Sequence, residues 1–490
     1  MTPYDVVIAG GRVLDPDSGT DAVLDIGLIG STIAAISAEP IMSDRVLDAR
    51  GLVVAPGWID LHSHAQTVAG GRMQVHDGVT TALDLEGGLS DVEGHYRRAA
   101  NEGRAVNYGF STSWQQARMA EVGGLATGSL TEVLGHFGNP AWKQSASPIQ
   151  LDRLFARLER DISNGAIGIG MLIGYAPRVD PREYVRASQL AADTGTSTFT
   201  HARDLVEDVP DAVIDGAEEI VNAAQETGAR AHYCHINSTS LWHIDRVHDL
   251  VRRAQAPITT EAYPYGAAAT AISADFLAPE RLSEHRLVPD SIVYTVTGEP
   301  VSSMKELAEL RAQDPGAVAI IHYLDEGVAS DLAVLQRALV FPGTVIGSDA
   351  MPLEWAGSVA DPYAWPPPPR LTIHPRGAGT FSRFLRRYVR ELRAVTLMEA
   401  IERCSLGPAR ILEDYVPAMR HKGRLRVGCD ADIVVFDPSE VTDVATYRQG
   451  ALPSRGYAYV IVGGQITVEH DRLDLEILAG QPIRSGRVSS

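Results

Sequence analysis

The chain has 490 residues and a formal net charge of -19 at pH 7. That length suits a large barrel with a smaller module, the acidic balance argues against a nucleic-acid partner, which wants a basic face, and no apolar run approaches a membrane span. Three cysteines, Cys234, Cys404 and Cys429, make no disulfide framework and fit a reducing compartment; the N-terminus lacks a basic region followed by an apolar core, so the expectation is a cytoplasmic protein.

In chain order, the first fifty residues read as short strands. YDVVIAGGRVLD, AVLDIGLIGSTIAAIS and RVLDARGLVVAPG are rich in Val and Ile and punctuated by Gly, Asp and Ser. From residue 57 the rhythm changes. Strand-like runs recur as GWIDLHSH, GVTTALDLE, AVNYGFSTS, GAIGIGML, TSTFTHA, ARAHYCHI, APITTEAYP and GTVIGSDA, with helix-like segments between most of them. SPIQLDRLFARLERDISNG sets Leu151, Leu154, Phe155 and Leu158 at i, i+3, i+4, i+7 spacing. Its SP start and NG end are suitable helix boundaries. REYVRASQLAADTG and DAVIDGAEEIVNAAQETG repeat the theme.

Eight strands with intervening helices predict an α/β fold, a (β/α)8 barrel, with a doubly wound sheet as the competing architecture. The long stretch between EAYP and GTVIGSDA implies an insertion, placed near 270–315. WPPPPR at 365–370 predicts a stiff extended loop near the barrel mouth. The last hundred residues return to β-like sequence in GRLRVGCDADIVVFDP and YAYVIVGGQITV. VVIAGGRVLD and VIVGGQITV resemble each other, and both read as hairpins around Gly-Gly. Segments at opposite ends of a chain can pair in one small sheet. The expected division is therefore 1–56 and 416–490 as two parts of one β module around a barrel at 57–415.

Residues that can bind metal fall at the ends of these strands. IDLHSH ends in His62 and His64, TTALDLE in Glu86, STFTH in His201, AHYCH in His235 and TVIGSD in Asp349. Along a strand, residues i and i+2 share a face, so the two imidazoles of HSH leave one side of the chain together. In a barrel the C-terminal strand ends converge on the face where active sites are built. Neutral imidazoles and a carboxylate suit Zn²⁺ or a similar divalent ion with a site left for water. Such an ion lowers the pKa of water and polarises a carbonyl, and a nearby carboxylate moves the proton. Asp349 is the candidate for that proton transfer, although an Asp in GSDA could also cap the following helix.

With these motifs in hand, the chain resembles the amidohydrolase superfamily, and more narrowly the N-acyl-D-amino-acid deacylase (D-aminoacylase) family. The superfamily likeness rests on PGWIDLHSH, His201, His235, SDA and the terminal GCDADIVVFD; the narrower one on GAIGIGMLIGYAP, EAYPYGAAAT, HPRGAGTFSRFL and CSLGPARILE. It extends over nearly the whole chain, least clearly between about 270 and 315. It implies a metal-dependent barrel, a β-sandwich formed by both termini, and hydrolysis of an amide. His62 and His64 would face one metal position and His201 and His235 the other, with Zn²⁺ as the expected ion. Many superfamily members bridge two metals with a carbamylated lysine on the fourth strand, but GAIGIGML has none; Lys143, Lys305 and Lys422 are the only lysines in the chain. D-aminoacylases use a cysteine after the second strand, which is also missing. Glu86 lies almost at that place and could bridge, with Asp84 as the rival.

For the substrate, the resemblance points to Tyr263 and Arg376 as contacts to a carboxylate. The position of the family's lysine is Asn237 and that of its serine is Ala269. A guanidinium can still clamp a carboxylate bidentately. His374 would be a structural neighbour of Arg376, and His322 a core residue or a support behind the ligands. The expectation is an amidohydrolase cleaving a linear amide of N-acyl-amino-acid type on a small carboxylate substrate, with a cyclic-amide hydrolase (hydantoinase or dihydroorotase type) or a deaminase as the alternative.

Overall fold

The structure, a computed structural model, describes residues 4–353, 365–367 and 373–486. Eight parallel strands form a sheet in chain order: Trp58–Asp60, Val79–Leu89, Asn107–Ser113, Gly168–Met171, Ser197–Thr200, Arg230–Tyr233, Ile258–Ala262 and Val345–Ile346. These are the eight runs expected from the sequence, and sequential parallel neighbours are the order of a (β/α)8 barrel, which excludes a doubly wound sheet. The first and eighth strands are joined beyond their ends, where Ser63 bridges Ala350. No helix among the described residues is long and apolar enough to cross a membrane.

The helix at Pro148–Ser163 begins where SP predicts. Ser147 caps it and exchanges bonds with Gln150 in a capping box. Leu154, Phe155, Leu158 and Ile162 form its buried stripe. The helix expected over DAVIDGAEEIVNAAQETG starts later, at Gly216, because the Asp215 carboxylate caps the N–H groups of Ala217 and Glu218. Part of WPPPPR lies outside the described residues; Trp365 stacks on His76 with ring centroids 5.2 Å apart.

Both chain ends share a second, nine-stranded sheet with its own apolar core, which includes Ile8, Ile26, Ile33, Val54, Ile433 and Ile461. Ile433–Phe436 pairs antiparallel with Val53–Pro56, whose chain continues directly into the first barrel strand. The sheet folds over so that Ile33 N–H donates to the Cys429 carbonyl (2.9 Å) and Gly428 N–H donates to the Ile33 carbonyl (2.8 Å), which makes the β-sandwich. The two Gly-Gly pairs differ. Gly463-Gly464 is the expected hairpin turn, both residues having positive φ. Gly10-Gly11 is instead a bulge inside the single strand Val6–Asp15, pinned by the Gly10 N–H donating to Asp25 (2.8 Å).

Two boundaries differ from expectation. The excursion between the seventh and eighth barrel strands carries a small sheet of Ala267–Ala271, Ile292–Tyr294, Glu299–Pro300 and Val318–His322, so it overruns 270–315 on both sides. Residues 479–486 leave the terminal sheet and lie along the third barrel strand, where Tyr108 and Ile483 are bonded through the Ile483 N–H (2.7 Å).

One buried carboxylate ties the barrel to the segment that carries Arg376. Asp77, after the helix Val68–His76, accepts from the N–H groups of Phe381 (2.8 Å) and Ser382 (3.0 Å) and from the Ser454 hydroxyl (2.9 Å). Asp77→Ala leaves two buried N–H donors without an acceptor and should cost on the order of 3 kcal/mol, read as a lower urea midpoint. An unchanged midpoint would show that this junction contributes nothing to stability.

Candidate metal centre

Beyond the first barrel strand the chain runs on as His62-Ser63-His64 between its two neighbours. Ser63 N–H donates to the Leu83 carbonyl on one side (2.9 Å), and His64 N–H donates to the Ala350 carbonyl on the other (2.8 Å). Asp349 N–H returns a bond to the His62 carbonyl (2.7 Å). This stitching closes the barrel and presents both imidazoles together, with their Nε2 atoms 3.2 Å apart. His201 and His235 follow the fifth and sixth strands, and their ring centroids lie 4.7 Å apart. His235 and Asp349 both adopt left-handed backbone, with φ of +31° and +52°, a conformation costing a non-glycine residue on the order of 1–3 kcal/mol. Space is reserved as well: a Cβ on Gly174 would stand 2.6 Å from the His201 ring.

Glu86 stands between the two pairs. Its Oε1 lies 2.7 Å from His235 Nε2 and 3.2 Å from His201 Nδ1. Its Oε2 lies 3.1 Å from His62 Nε2 and 3.6 Å from His64 Nε2. Asp84, the rival, is used differently: Oδ1 faces His64 Nδ1 at 3.0 Å and accepts from Gly88 N–H at 3.1 Å. Asp84 therefore orients a histidine from behind, while Glu86 sits at the centre. The fourth strand has no space for a long side chain at Gly170, where a Cβ would stand 2.4 Å from the Glu86 carbonyl oxygen.

The residues form two groups of donors, His62 with His64 and Asp349, and Glu86 with His201 and His235. Within each group the ligand atoms lie within 4.8 Å of one another. Burial opposes charge throughout. Against burial, the charges of His62 and His235, with hydrogen bonds from His201 and His235, hold Glu86 well below the ordinary carboxylate range. Glu86, Glu261 and Asp349 push His62 well above the ordinary imidazole value, and Asp84 raises His64 to about 10, both against burial. Burial lowers His201. Such a set of imidazoles around a shared carboxylate asks for positive charge, and its N and O donors fit Zn²⁺ or a similar divalent ion.

Asp349 also reaches the first pair, its Oδ1 3.5 Å from His62 Nε2 and 3.6 Å from His64 Nε2. The same oxygen meets Arg376 Nη2 at 2.9 Å. Arg376 is 1% exposed, also donates to the Ala269 carbonyl (3.2 Å), and lies 4.9 Å from the centre of the Tyr263 ring. Its Nε and Nη1, and the Tyr263 hydroxyl, have no hydrogen-bond partner among the described residues. Arg376 is thus anchored to Asp349 on one edge, where the sequence suggested a guanidinium free to clamp a ligand. Asn237, the other expected substrate contact, is bonded to backbone: its carbonyl accepts from Tyr263 N–H (3.1 Å) and its amide donates to the Tyr265 carbonyl (3.4 Å), so it fixes the YPY backbone. His374 does neighbour Arg376, accepting from its N–H at 3.1 Å. His322 is half-buried against Tyr447.

Above these groups opens a cavity of about 450 Å³. Glu86, His201, His235, Tyr263 and Asp349 line it, and Phe137, Leu172, Tyr175 and Phe276 form apolar parts of its wall. Sequence reasoning missed a further layer beneath, where His232, Cys234 and Glu261 are brought together inside the barrel. The signal was present: Glu261 is a lone ionisable residue inside the apolar run APITTEAYP, and the alternation of a strand must send it to one face.

A model described as the amidohydrolase family matches residues 184–468. The chain is 29% identical to an N-acyl-D-glutamate deacylase of Alcaligenes xylosoxydans xylosoxydans, over 94% of this chain and 93% of that one. It is 26% identical to a D-aminoacylase of the same organism over 94% of each. The crystal structure of N-acyl-D-glutamate deacylase from Bordetella bronchiseptica, complexed with zinc and a phosphonate that mimics the tetrahedral intermediate, matches with a TM-score of 0.73. That match is 24% identical and covers 98% of this chain and 99% of the other, a likeness of fold.

If Glu86 joins the two halves of the centre, Glu86→Ala should weaken divalent-metal binding by well over tenfold, since even supporting residues behind ligands are worth about 10 to 100-fold. Competition with a chromogenic chelator measures this. A carboxylate bridge also needs no carbon dioxide, so metal-stripped protein should regain full activity with metal alone and gain nothing from bicarbonate. Unaltered affinity in Glu86→Ala would remove Glu86 from the centre.

Proposed function

Because the chain belongs to the amidohydrolase family, we propose that it hydrolyses the linear amide of an N-acyl-amino acid, its site built from His62, His64, Glu86, His201, His235 and Asp349. It is a metal-dependent hydrolase of carbon–nitrogen bonds other than peptide bonds. The observation that carries the hydrolytic reading is the division of Glu86 between two imidazole pairs, with Asp349 beside one of them, at a cavity of about 450 Å³, a volume suited to a small ligand; the N-acyl-amino-acid class is supported by the likeness to N-acyl-D-glutamate deacylase and D-aminoacylase over 94% of the chain. The catalytic unit is the barrel, bounded at 57–415, with 1–56 and 416–490 as its terminal module, apart from residues 479–486, which lie along the third barrel strand. The setting is cytoplasmic, in keeping with three free, buried cysteines, and the partner is a small molecule, without nucleic acid or membrane.

Zinc or a similar divalent ion, held by His62, His64, Glu86, His201 and His235, would supply a Lewis acid and lower the pKa of water. The remaining work falls to side chains. The Asp349 carboxylate takes the proton of the attacking water and returns it to the nitrogen of the departing amine; Arg376 holds its Oδ1 in place for both transfers. The Tyr263 hydroxyl, which has no partner among the described residues, is free to donate to the developing oxyanion. The unpaired Nε and Nη1 of Arg376 are a buried demand for acceptors, and a substrate carboxylate is the acceptor we assign to them.

A panel of N-acyl-D- and N-acyl-L-amino acids, neutral N-acyl amines and cyclic imides tests the reading. Release of free amino acid from at least one acyl-amino acid is expected; turnover of cyclic imides alone would overturn it. Asp349→Asn should keep its metal and lose on the order of 10²-fold or more in kcat, and wild-type turnover of the metal-loaded variant would rule out the proton-transfer role. Arg376→Lys should lower kcat/KM more for acyl-amino acids than for neutral acyl amines, because a point charge does not reproduce the two-donor edge of a guanidinium. Equal losses on both would leave Arg376 as a support for Asp349 alone.

A further inference from the structure

We propose that Glu261 is a positioning residue for the His62 side of the metal centre: it accepts a hydrogen bond from the Nδ1–H of His62, fixes the tautomer and plane of that ring, and has His232 beside its other oxygen in the barrel lumen. The inference rests on the reading of His62 as a ligand. Glu261 is on the seventh barrel strand, Ile258–Ala262, and is 1% exposed. Its Oε1 makes a short contact with His62 Nδ1 and is 3.4 Å from the His235 N–H. Its Oε2 lies 3.2 Å from Nε2 of His232, on the sixth strand, an ion-pair contact in which neither atom has an aligned hydrogen bond, and Nδ1 of His232 lies 2.7 Å from the Thr259 hydroxyl. A chain of polar groups thus runs from Thr259 through His232 and Glu261 to His62, under the apolar cover of the barrel interior. The eighth strand makes room for it, since a Cβ at Gly347 would stand 2.8 Å from Glu261 Oε2.

The chemistry follows from the imidazole. A neutral ring carries one proton, and a carboxylate at Nδ1 keeps it there and leaves the Nε2 lone pair for a metal. Nε2 of His62 is the atom that faces Glu86 at 3.1 Å and His64 at 3.2 Å. His64 has the same arrangement, with Asp84 at its Nδ1 (3.0 Å). The other pair differs: His201 Nδ1 faces Glu86 itself (3.2 Å), and His235 Nδ1 meets the neutral hydroxyl of Ser238 (3.2 Å). Carboxylate support from behind therefore goes to one half of the centre, and its loss should be felt by one metal equivalent.

Glu261→Gln keeps size and shape and removes the charge. With thermal unfolding of the metal-free protein unchanged, chelator competition should show one Zn²⁺ equivalent weakened by roughly 10 to 100-fold and the other retained. The Co²⁺-substituted protein should show altered visible bands for the weakened equivalent. His232→Gln, which leaves Glu261 in place and loosens its other oxygen, should weaken the same equivalent by less, and decides the matter alone if Glu261→Gln does not fold. Unchanged binding of both equivalents overturns the proposal, and so does an equal loss of both, which would mark general loosening of the barrel. Failure of the unsubstituted protein to bind metal at all would instead overturn the reading of His62 as a ligand.

Discussion

Glu86 offers two oxygens to four imidazoles in a place from which water is largely excluded, and the arrangement of the site follows from that sharing. A buried carboxylate is costly unless its charge is met, and here each oxygen is met by a different histidine pair. The same division gives two groups of donors joined by one residue, as a pair of ions with a common ligand requires. Asp349 reaches the His62–His64 pair as well and is anchored by Arg376, which leaves Glu86 alone in facing both pairs.

The barrel supplies this geometry at some backbone cost. Its first and eighth strands meet through bonds among His62, His64, Asp349 and Ala350, so closure of the sheet and placement of the ligands are one event. The left-handed residues His235 and Asp349 lie where strands give way to loops, and strain there is sustained by the rigid sheet below. Asp77 connects the helix after the first strand with the helix that begins at Arg376, which carries the same order into the partner of Asp349. Beneath the ligands, Glu261 and His232 occupy lumen positions that an apolar core would ordinarily fill.

Much of this was legible in the amino-acid order. All eight barrel strands are visible as apolar runs, because a strand covered on both faces must be apolar, and the six residues at their ends stand out as metal-binding types placed where a barrel builds its active site. Periodicity cannot measure direction across a barrel, so Glu86 is preferred in the sequence only by its place near the family's cysteine, with Asp84 on the same face as its rival, and the distances to the histidines separate the two. Asn237 and Arg376 were legible by position but not by partner: Asn237 is bonded to the backbone of Tyr263 and Tyr265, and Arg376 to Asp349, contacts between elements far apart in the chain. The Gly10-Gly11 bulge was mistaken for a turn because Gly-Gly serves both; only the register with Thr20–Ile29 distinguishes them.

The most direct test of the account is the anomalous scattering of a crystal of the Zn²⁺-loaded protein. The account predicts two peaks, one on each side of Glu86, with each carboxylate oxygen about 2.0–2.2 Å from its ion, His62 and His64 at one and His201 and His235 at the other. Glu86 turned away from the peaks, with Asp84 or water alone between the ions, would contradict it.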